Sequence, residues 1–243
     1  MSGHSKWSTI KHKKGAADAR RGKLWTKLLK EISVAARLGG SDIEANPRLR
    51  LAVDQAKAAN MPKDNYDRAI KKGAGELDGV SYEEVLYEAY GPGGVAFLIE
   101  ALTDNKNRTT PEVRSYFAKF GSDLGAQGSV GYLFSKQGQI VLEGEAPEDK
   151  VMEIALEAGA DDVTNEDEVW IIATSPDSYL AVKDAVDKAK LPLIDSKIIM
   201  APSTEAQVPE DKLKSFLKLV EMLEDNDDVQ NVWHNGLYEE PAD

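Results

Sequence analysis

The chain has 243 residues, 42% hydrophobic and 30% charged, which suits about two or three domains of ordinary size and excludes a disordered chain. Cysteine is absent, which excludes disulfide scaffolds, thiolate zinc sites and cysteine nucleophiles, and fits a reducing compartment. The net charge of −12 is divided unevenly: residues 1–75 carry 17 Lys+Arg against 7 Asp+Glu, net +10, and residues 76–243 carry 13 against 35, net −22, so a polyanion is expected at one end of the molecule.

Residues 1–22 are basic with little apolar periodicity. From Lys23 the pattern is helical, with Leu24, Trp25, Leu28, Leu29, Ile32 and Ala36 on one stripe that ends at Gly39-Gly40. Asn46-Pro47 reads as an N-cap followed by proline in the first turn, opening a helix with Leu49, Ala52, Val53, Ala56 and Ala59 inward. A third helix starts near Pro62, buries Tyr66, Ala69 and Ile70, and stops at Gly73. Residues 73–79 are a link by composition. Strands are expected at 85–90 and 95–102, joined through Gly91-Pro92-Gly93-Gly94 as a hairpin. A helix follows with Val113, Tyr116, Phe117 and Phe120 on its stripe, then a glycine-rich stretch at 121–131 and a short strand at 132–134.

Residues 139–202 read as strand, helix, strand, strand, helix, strand, with strands at 139–144, 161–165, 169–174 and 197–201. That is the ferredoxin-like βαββαβ order, with helices on one face of an antiparallel sheet. A linker at 203–209, an amphipathic helix carrying Leu213, Phe216, Leu217, Val220 and Leu223, and a lone strand at 229–233 close the chain. One strand is not stable alone, so it is expected to join the sheet of 80–135. The fold class is therefore multi-domain α+β. A basic arm and three-helix domain cover 1–75, a discontinuous α+β domain covers 80–135 and 206–238, and a ferredoxin-like domain over 139–202 is inserted into it. Both α+β domains are read as ferredoxin-like. Glycine links at 73–79 and 135–139 separate the parts.

The candidate site is the arm with the start of the first helix: Lys6, Trp7, Lys11, His12, Lys13, Lys14, Arg20, Arg21, Lys23 and Lys27, with Lys30 close behind. Phosphate backbones call for this cation density, and exposed aromatics stack on bases. Trp7 is the contact candidate, whereas Trp25 shares the stripe of Leu28 and Ile32 and reads as core. The alternative is a solvated basic terminus without a partner. Arg48, Arg50, Lys57, Lys63, Arg68, Lys71 and Lys72 could extend the same surface, although no turn signature demands a helix-turn-helix.

Other chemistry finds little support. GAADARRGK at 15–23 fails the P-loop spacing, with six residues between its glycines and Leu24 after the lysine. The glycines of 121–131 read as an anion-binding nest or as a mobile loop. No histidine pair or calcium-loop spacing appears, so the acidic runs at 161–168 and 224–228 read as solvated turns, and His234 as a strand-end cap. No catalytic residue, metal or cofactor is expected. No apolar run approaches the roughly 20 residues that span a bilayer, and the basic amino terminus lacks the apolar stretch of a secretory signal.

GHSKW at 3–7, the segment 10–32, NPRLR at 46–50, the segment 87–109 with YGPGG, GSVGYLF at 128–134, ALEAGADDV at 155–163 and the segment 223–235 together resemble the YebC family nearly end to end. The family motif begins at Gly3, which leaves no room for a presequence and implies a bacterial cytoplasmic member. The resemblance also implies three domains and no enzymatic activity. Members are described as DNA-binding transcriptional regulators, and others act in translation on stalled ribosomes. The binding surface this implies falls on the arm and first helix. Three classes of function follow as expectations: a DNA-binding transcription regulator, a ribosome-associated factor that binds ribosomal RNA or tRNA, and an enzyme or small-molecule sensor. Neither a membrane nor a small-molecule substrate is expected as a partner.

Overall fold

The computed structural model describes residues 17–166 and 168–238, with amino-terminal side chains from Arg21 onward. The chain starts in three helices, α1 (Ala17–Gly39), α2 (Pro47–Ala58) and α3 (Lys63–Gly73). Asn46 sets the corner between the first two. Its Oδ1 accepts the Leu49 N–H at 3.1 Å, and its amide donates to the Ala35 and Gly40 carbonyls at 2.8 Å each. One buried side chain thus caps α2 and satisfies carbonyls at the end of α1. Leu28, Ile32, Leu49, Val53 and Ile70 form the shared core. Trp25 packs against it and donates its indole N–H to the Ala59 carbonyl at 3.0 Å. Leu24, expected on the same stripe, is 47% exposed.

Two compact units divide the chain. Among the described residues, one comprises 17–131 with 205–238 and the other 132–204. In the first, β1 (Glu83–Tyr90), β2 (Ala96–Thr103) and β8 (Val229–His234) form an antiparallel sheet in the order β1–β2–β8, so the lone carboxy-terminal strand pairs with β2. Helices α4 (Lys106–Ala118) and α7 (Glu210–Asp225) cover the face carrying Tyr87, Ala89, Phe97, Ile99 and Ala101. Phe97 sits at the centre, edge-on to Phe117 at 5.6 Å. The hairpin needs its glycines: Gly93 and Gly94 have φ of +77° and +75°, and a side chain at Gly91 would come within 2.5 Å of the Phe97 ring. Strands β7 (Ala206–Gln207) and β9 (Gly236–Leu237) add a two-residue parallel pair.

The second unit holds β3 (Phe134–Glu143), α5 (Glu148–Glu157), β4 (Asp162–Glu166), β5 (Val169–Thr174), α6 (Tyr179–Lys188) and β6 (Leu193–Pro202). Its sheet runs β4–β5–β3–β6, antiparallel throughout, the ferredoxin-like arrangement. Here two expectations change. Residues 131–133 form a short 3-10 turn, and Phe134 opens a ten-residue strand that runs straight through 135–139. Gly138 is no link. A side chain there would lie 2.2 Å from the Thr174 hydroxyl and 2.6 Å from the Tyr179 ring, so glycine marks a close approach inside a strand. With 134 assigned to β3, the sheet of the first unit has three strands where a ferredoxin-like domain has four.

His234 also departs from expectation. It lies within an aromatic group, 5.0 Å from Phe216 and 5.9 Å from Phe97 between ring centroids. The neighbouring Asn235 closes the strand end instead, accepting the Ala96 N–H at 2.8 Å on its side-chain oxygen. Burial pushes the His234 imidazole down to about 4 from its ordinary 6.5. The folded state thus keeps it neutral while the unfolded chain takes up a proton below pH 6.5, so stability falls as pH drops from 6.5 towards 4. Urea denaturation should show about 2 kcal/mol less stability at about pH 5 than at about pH 7.5 from this residue. His234→Phe should abolish that part of the slope, and an equal slope in both proteins would refute the assignment.

Candidate nucleic-acid interface

Of the site residues expected from sequence, Lys6, Trp7, Lys11, His12, Lys13 and Lys14 lie outside the described residues, as does the side chain of Arg20. Arg21 is exposed at the start of α1 and takes part in an interaction of its own. Lys23 and Lys27 are turned to the chain itself. The Lys23 ammonium donates to the Asp225 carboxylate at 3.0 Å and to the Asp225 carbonyl at 3.2 Å. Lys27 donates to the Glu224 carbonyl at 2.8 Å. Lys30 follows, donating to the Asp227 carbonyl and the Asp228 carboxylate at 2.8 Å each. Positions 23, 27 and 30 share one helical face. The end of α7 presents unpaired carbonyls and the negative pole of its dipole, which attract ammonium groups. Lys23 and Lys27, expected as nucleic-acid contacts, thus have their ammonium groups bonded within the chain, Lys23 while still exposed.

The acidic run at 224–228 is solvated only in part: Glu224, Asp225 and Asp227 are exposed. Asp228 is buried. Its carboxylate accepts from Lys30 at 2.8 Å, Arg108 at 2.7 Å, the Thr109 hydroxyl at 2.7 Å and the Thr103 hydroxyl at 3.2 Å. Burial alone would raise its pKa. The hydrogen bonds from Lys30, Arg108 and Thr109 and the Lys30 charge outweigh that and hold it well below the usual carboxylate range. Arg108 also pairs with Asp104 at 2.8 Å, and Lys30 lies 5.4 Å from the centre of the Tyr82 ring. The segments 103–109 and 224–228 therefore meet around one buried anion.

The glycine-rich stretch does form a nest, and the chain fills it. Glu88 is buried on β1 and accepts the N–H groups of Gly128, Val130 and Gly131, each at 2.7 Å. Burial opposes its charge, but the three N–H groups prevail and lower its pKa. That anion site is therefore not open to a phosphate.

The second basic set splits. Arg48 forks onto Glu31 at 2.6 and 3.0 Å and reaches Glu84 at 2.8 Å. Arg50 faces Glu44 at 3.8 Å, and Lys57 faces Asp54 at 3.2 Å. Lys63, Arg68, Lys71 and Lys72 are exposed on α3. Beside them a groove with a volume of 660 Å³ runs between the ends of α1 and α3 and residues 79–82, with Arg37 donating to Ser81 and to the Tyr82 carbonyl across its floor. Among the described residues, no group of three or more His, Asp or Glu could hold a metal ion, and no helix is long and apolar enough to cross a membrane.

Two family models cover this architecture. Residues 5–76 match the TACO1/YebC protein N-terminal domain, and residues 82–236 match the TACO1/YebC second and third domain. A probable transcriptional regulatory protein of Geobacter sulfurreducens is 57% identical over 97% of this chain and 95% of its own length. One from Desulforapulum autotrophicum is 55% identical over 97% and 96%. The crystal structure of a conserved hypothetical protein from Aquifex aeolicus superposes with a TM-score of 0.87 at 49% identity, covering 98% of each chain.

Proposed function

Because the chain belongs to the TACO1/YebC family, we propose that it is a non-enzymatic regulator that acts in the cytoplasm and binds DNA through its basic amino-terminal end. The observation that carries this is the net +10 of residues 1–75 against −22 for the remainder. Relatives more than half identical are named probable transcriptional regulatory proteins, which supports a regulatory role on nucleic acid. Binding of this kind is led by phosphates: the candidate residues are mainly lysine and arginine, and no set of Arg, Asn and Gln aimed at base edges stands out. The acidic remainder is repelled by nucleic acid and turns the basic end towards it. The interface is Lys6, Trp7, Lys11, His12, Lys13, Lys14, Arg20 and Arg21, with Lys23 and Lys27 supplying positive field from within their internal pairs.

Reversing Lys11, Lys13 and Lys14 to Glu should weaken binding to duplex DNA on the order of 100-fold at physiological salt and flatten the log–log salt slope by about 3. The melting temperature should stay unchanged. Unchanged affinity would sink the arm as the site. Promoter DNA bound far more tightly than random DNA would establish a transcription role. Co-sedimentation with ribosomes and no discrimination among DNA sequences would replace it with the translation role, in which Lys, His and Trp suit splayed RNA bases.

A further inference from the structure

Twelve cations lie between residues 21 and 72, and the structure sorts them. Arg21, Lys23, Lys27, Lys30, Arg37, Arg48, Arg50 and Lys57 each have a partner within the chain. The other four, Lys63, Arg68, Lys71 and Lys72, are all on α3 and all exposed. None has a side-chain hydrogen bond or ion pair among the described residues. Asp64 and Asp67 lie one turn before Arg68 and Lys71 on the same helix, but no ion pair forms with either. Glu76 and Asp78 follow in the exposed segment after the helix and make none with these cations. With 42 Asp and Glu in the chain, carboxylates pair with Lys23, Lys30, Arg48, Arg50 and Lys57, and Lys27 and Arg37 bond neutral oxygens, whereas the α3 cations bond neither.

Resting on the nucleic-acid reading above, we propose that the exposed face of α3 is a second binding surface, which grips the phosphodiester backbone of the nucleic acid held by the arm. Arg68, Lys71 and Lys72 fall within about one helical turn and Lys63 lies about one to two turns earlier, so they cover roughly 14 Å of helix axis. Along a duplex axis, where one strand places a phosphate about every 3.4 Å, that length spans about four phosphates. Helix α3 runs alongside α1 in the same direction: Trp25 bonds Ala59 just before α3, and the Ser33 hydroxyl donates to the Ala69 carbonyl within it. The α3 cations therefore trail away from the point where the arm enters α1. Charge at the last turn also complements the helix dipole, but that explains neither Lys63 nor the failure of Asp64 and Asp67 to pair.

The test uses the full chain with Arg68, Lys71 and Lys72 changed together to Ala, beside the arm variant and a control with Lys57→Ala, whose cation is exposed but paired. Probes are a random-sequence duplex DNA and a single-stranded RNA, titrated across a range of KCl concentrations. The α3 variant should flatten the salt slope by about 2 to 3 and lose on the order of 50- to 150-fold in affinity at physiological salt, with the melting temperature held. The control should change less than about 5-fold. The probe that loses more affinity identifies the preferred polymer. An α3 variant with unchanged affinity and slope, while the arm variant fails to bind, overturns this inference and leaves the arm standing. Loss in the α3 variant alone refutes the arm and overturns the inference as stated, since α3 would then be the primary surface and not a second one. No binding by the unaltered protein defeats both.

Discussion

Asp228→Ala is expected to cost about 3 to 5 kcal/mol of stability, because removing one partner strands the others in a buried place. Lys30, only 9% exposed, would keep its charge with no anion, only the Asp227 carbonyl and the Tyr82 ring. The Thr103 hydroxyl would keep Thr109 and the Asn105 N–H, the Thr109 hydroxyl would keep Thr103 and the Asn105 carbonyl, and Arg108 would keep only Asp104. The neighbouring pair behaves differently. Lys23 and Asp225 have side chains 45% and 65% exposed, and Lys23→Ala should cost less than about 1 kcal/mol. Urea denaturation of both variants at neutral pH decides the matter. A loss below about 1 kcal/mol for Asp228→Ala would show that the network contributes little. The pH dependence separates Asp228 from His234. The carboxylate's folded pKa is lowered, so its contribution is present above the unfolded value of 3.8 and lost as pH falls beneath it. The His234 loss has by then run its course between 6.5 and about 4. Asp228→Ala should therefore have a shallower lower limb of the acid transition, to which Glu88 still contributes, and keep the upper one.

What could be read from sequence was local. The stripe from Trp25 to Ala36, the Asn46-Pro47 cap and the glycine hairpin are patterns written within a few residues, and the elements form there for the reasons anticipated. That the lone strand joins the sheet of the first unit follows from a strand needing a sheet; its pairing with β2 and its register do not. The arrangements that escaped join distant residues. Lys30 and Asp228 are 198 positions apart, and Asp228 and Thr109 are 119 apart; no spacing rule connects them. Composition was misleading here, since an acidic run looks solvated until something buries one of its members. Gly138 misled for the opposite reason: read as punctuation, it is required by the Thr174 and Tyr179 side chains that crowd it from other elements. The candidate site divides likewise. The charge asymmetry is plain in the sequence, but which cations are already paired depends on tertiary contacts.

Glu88→Ala should cost about 3 kcal/mol, since three N–H groups lose a charged acceptor and the Val130 N–H is buried. Glu88→Gln is the sharper test. Glutamine keeps one oxygen that can serve Val130 and Gly131, which share one carboxylate oxygen, but it turns an amide nitrogen towards the Gly128 N–H, which uses the other. Two donors would then face each other, and the loss should be about 1 to 2 kcal/mol. Hydrogen exchange localises the effect. The amides of Gly128, Val130 and Gly131 should lose protection in both variants, while those of β2 keep theirs, because the nest is local and β2 is held by β1 and β8 on either side. Protection lost throughout the sheet would mean instead that Glu88 supports β1 itself. Gly128, at φ +87°, shows why this carboxylate is needed. The left-handed turn aims the N–H groups of 128, 130 and 131 at one point while the Ser129 N–H bonds the Ala126 carbonyl, and the three groups, withdrawn from the sheet ladder, would be left without acceptors if no anion stood there. The carboxylate from β1 thereby fixes where the chain leaves its first compact unit at residue 131, and it does so by occupying the glycine-rich cradle that the sequence left as either an anion nest or a mobile loop.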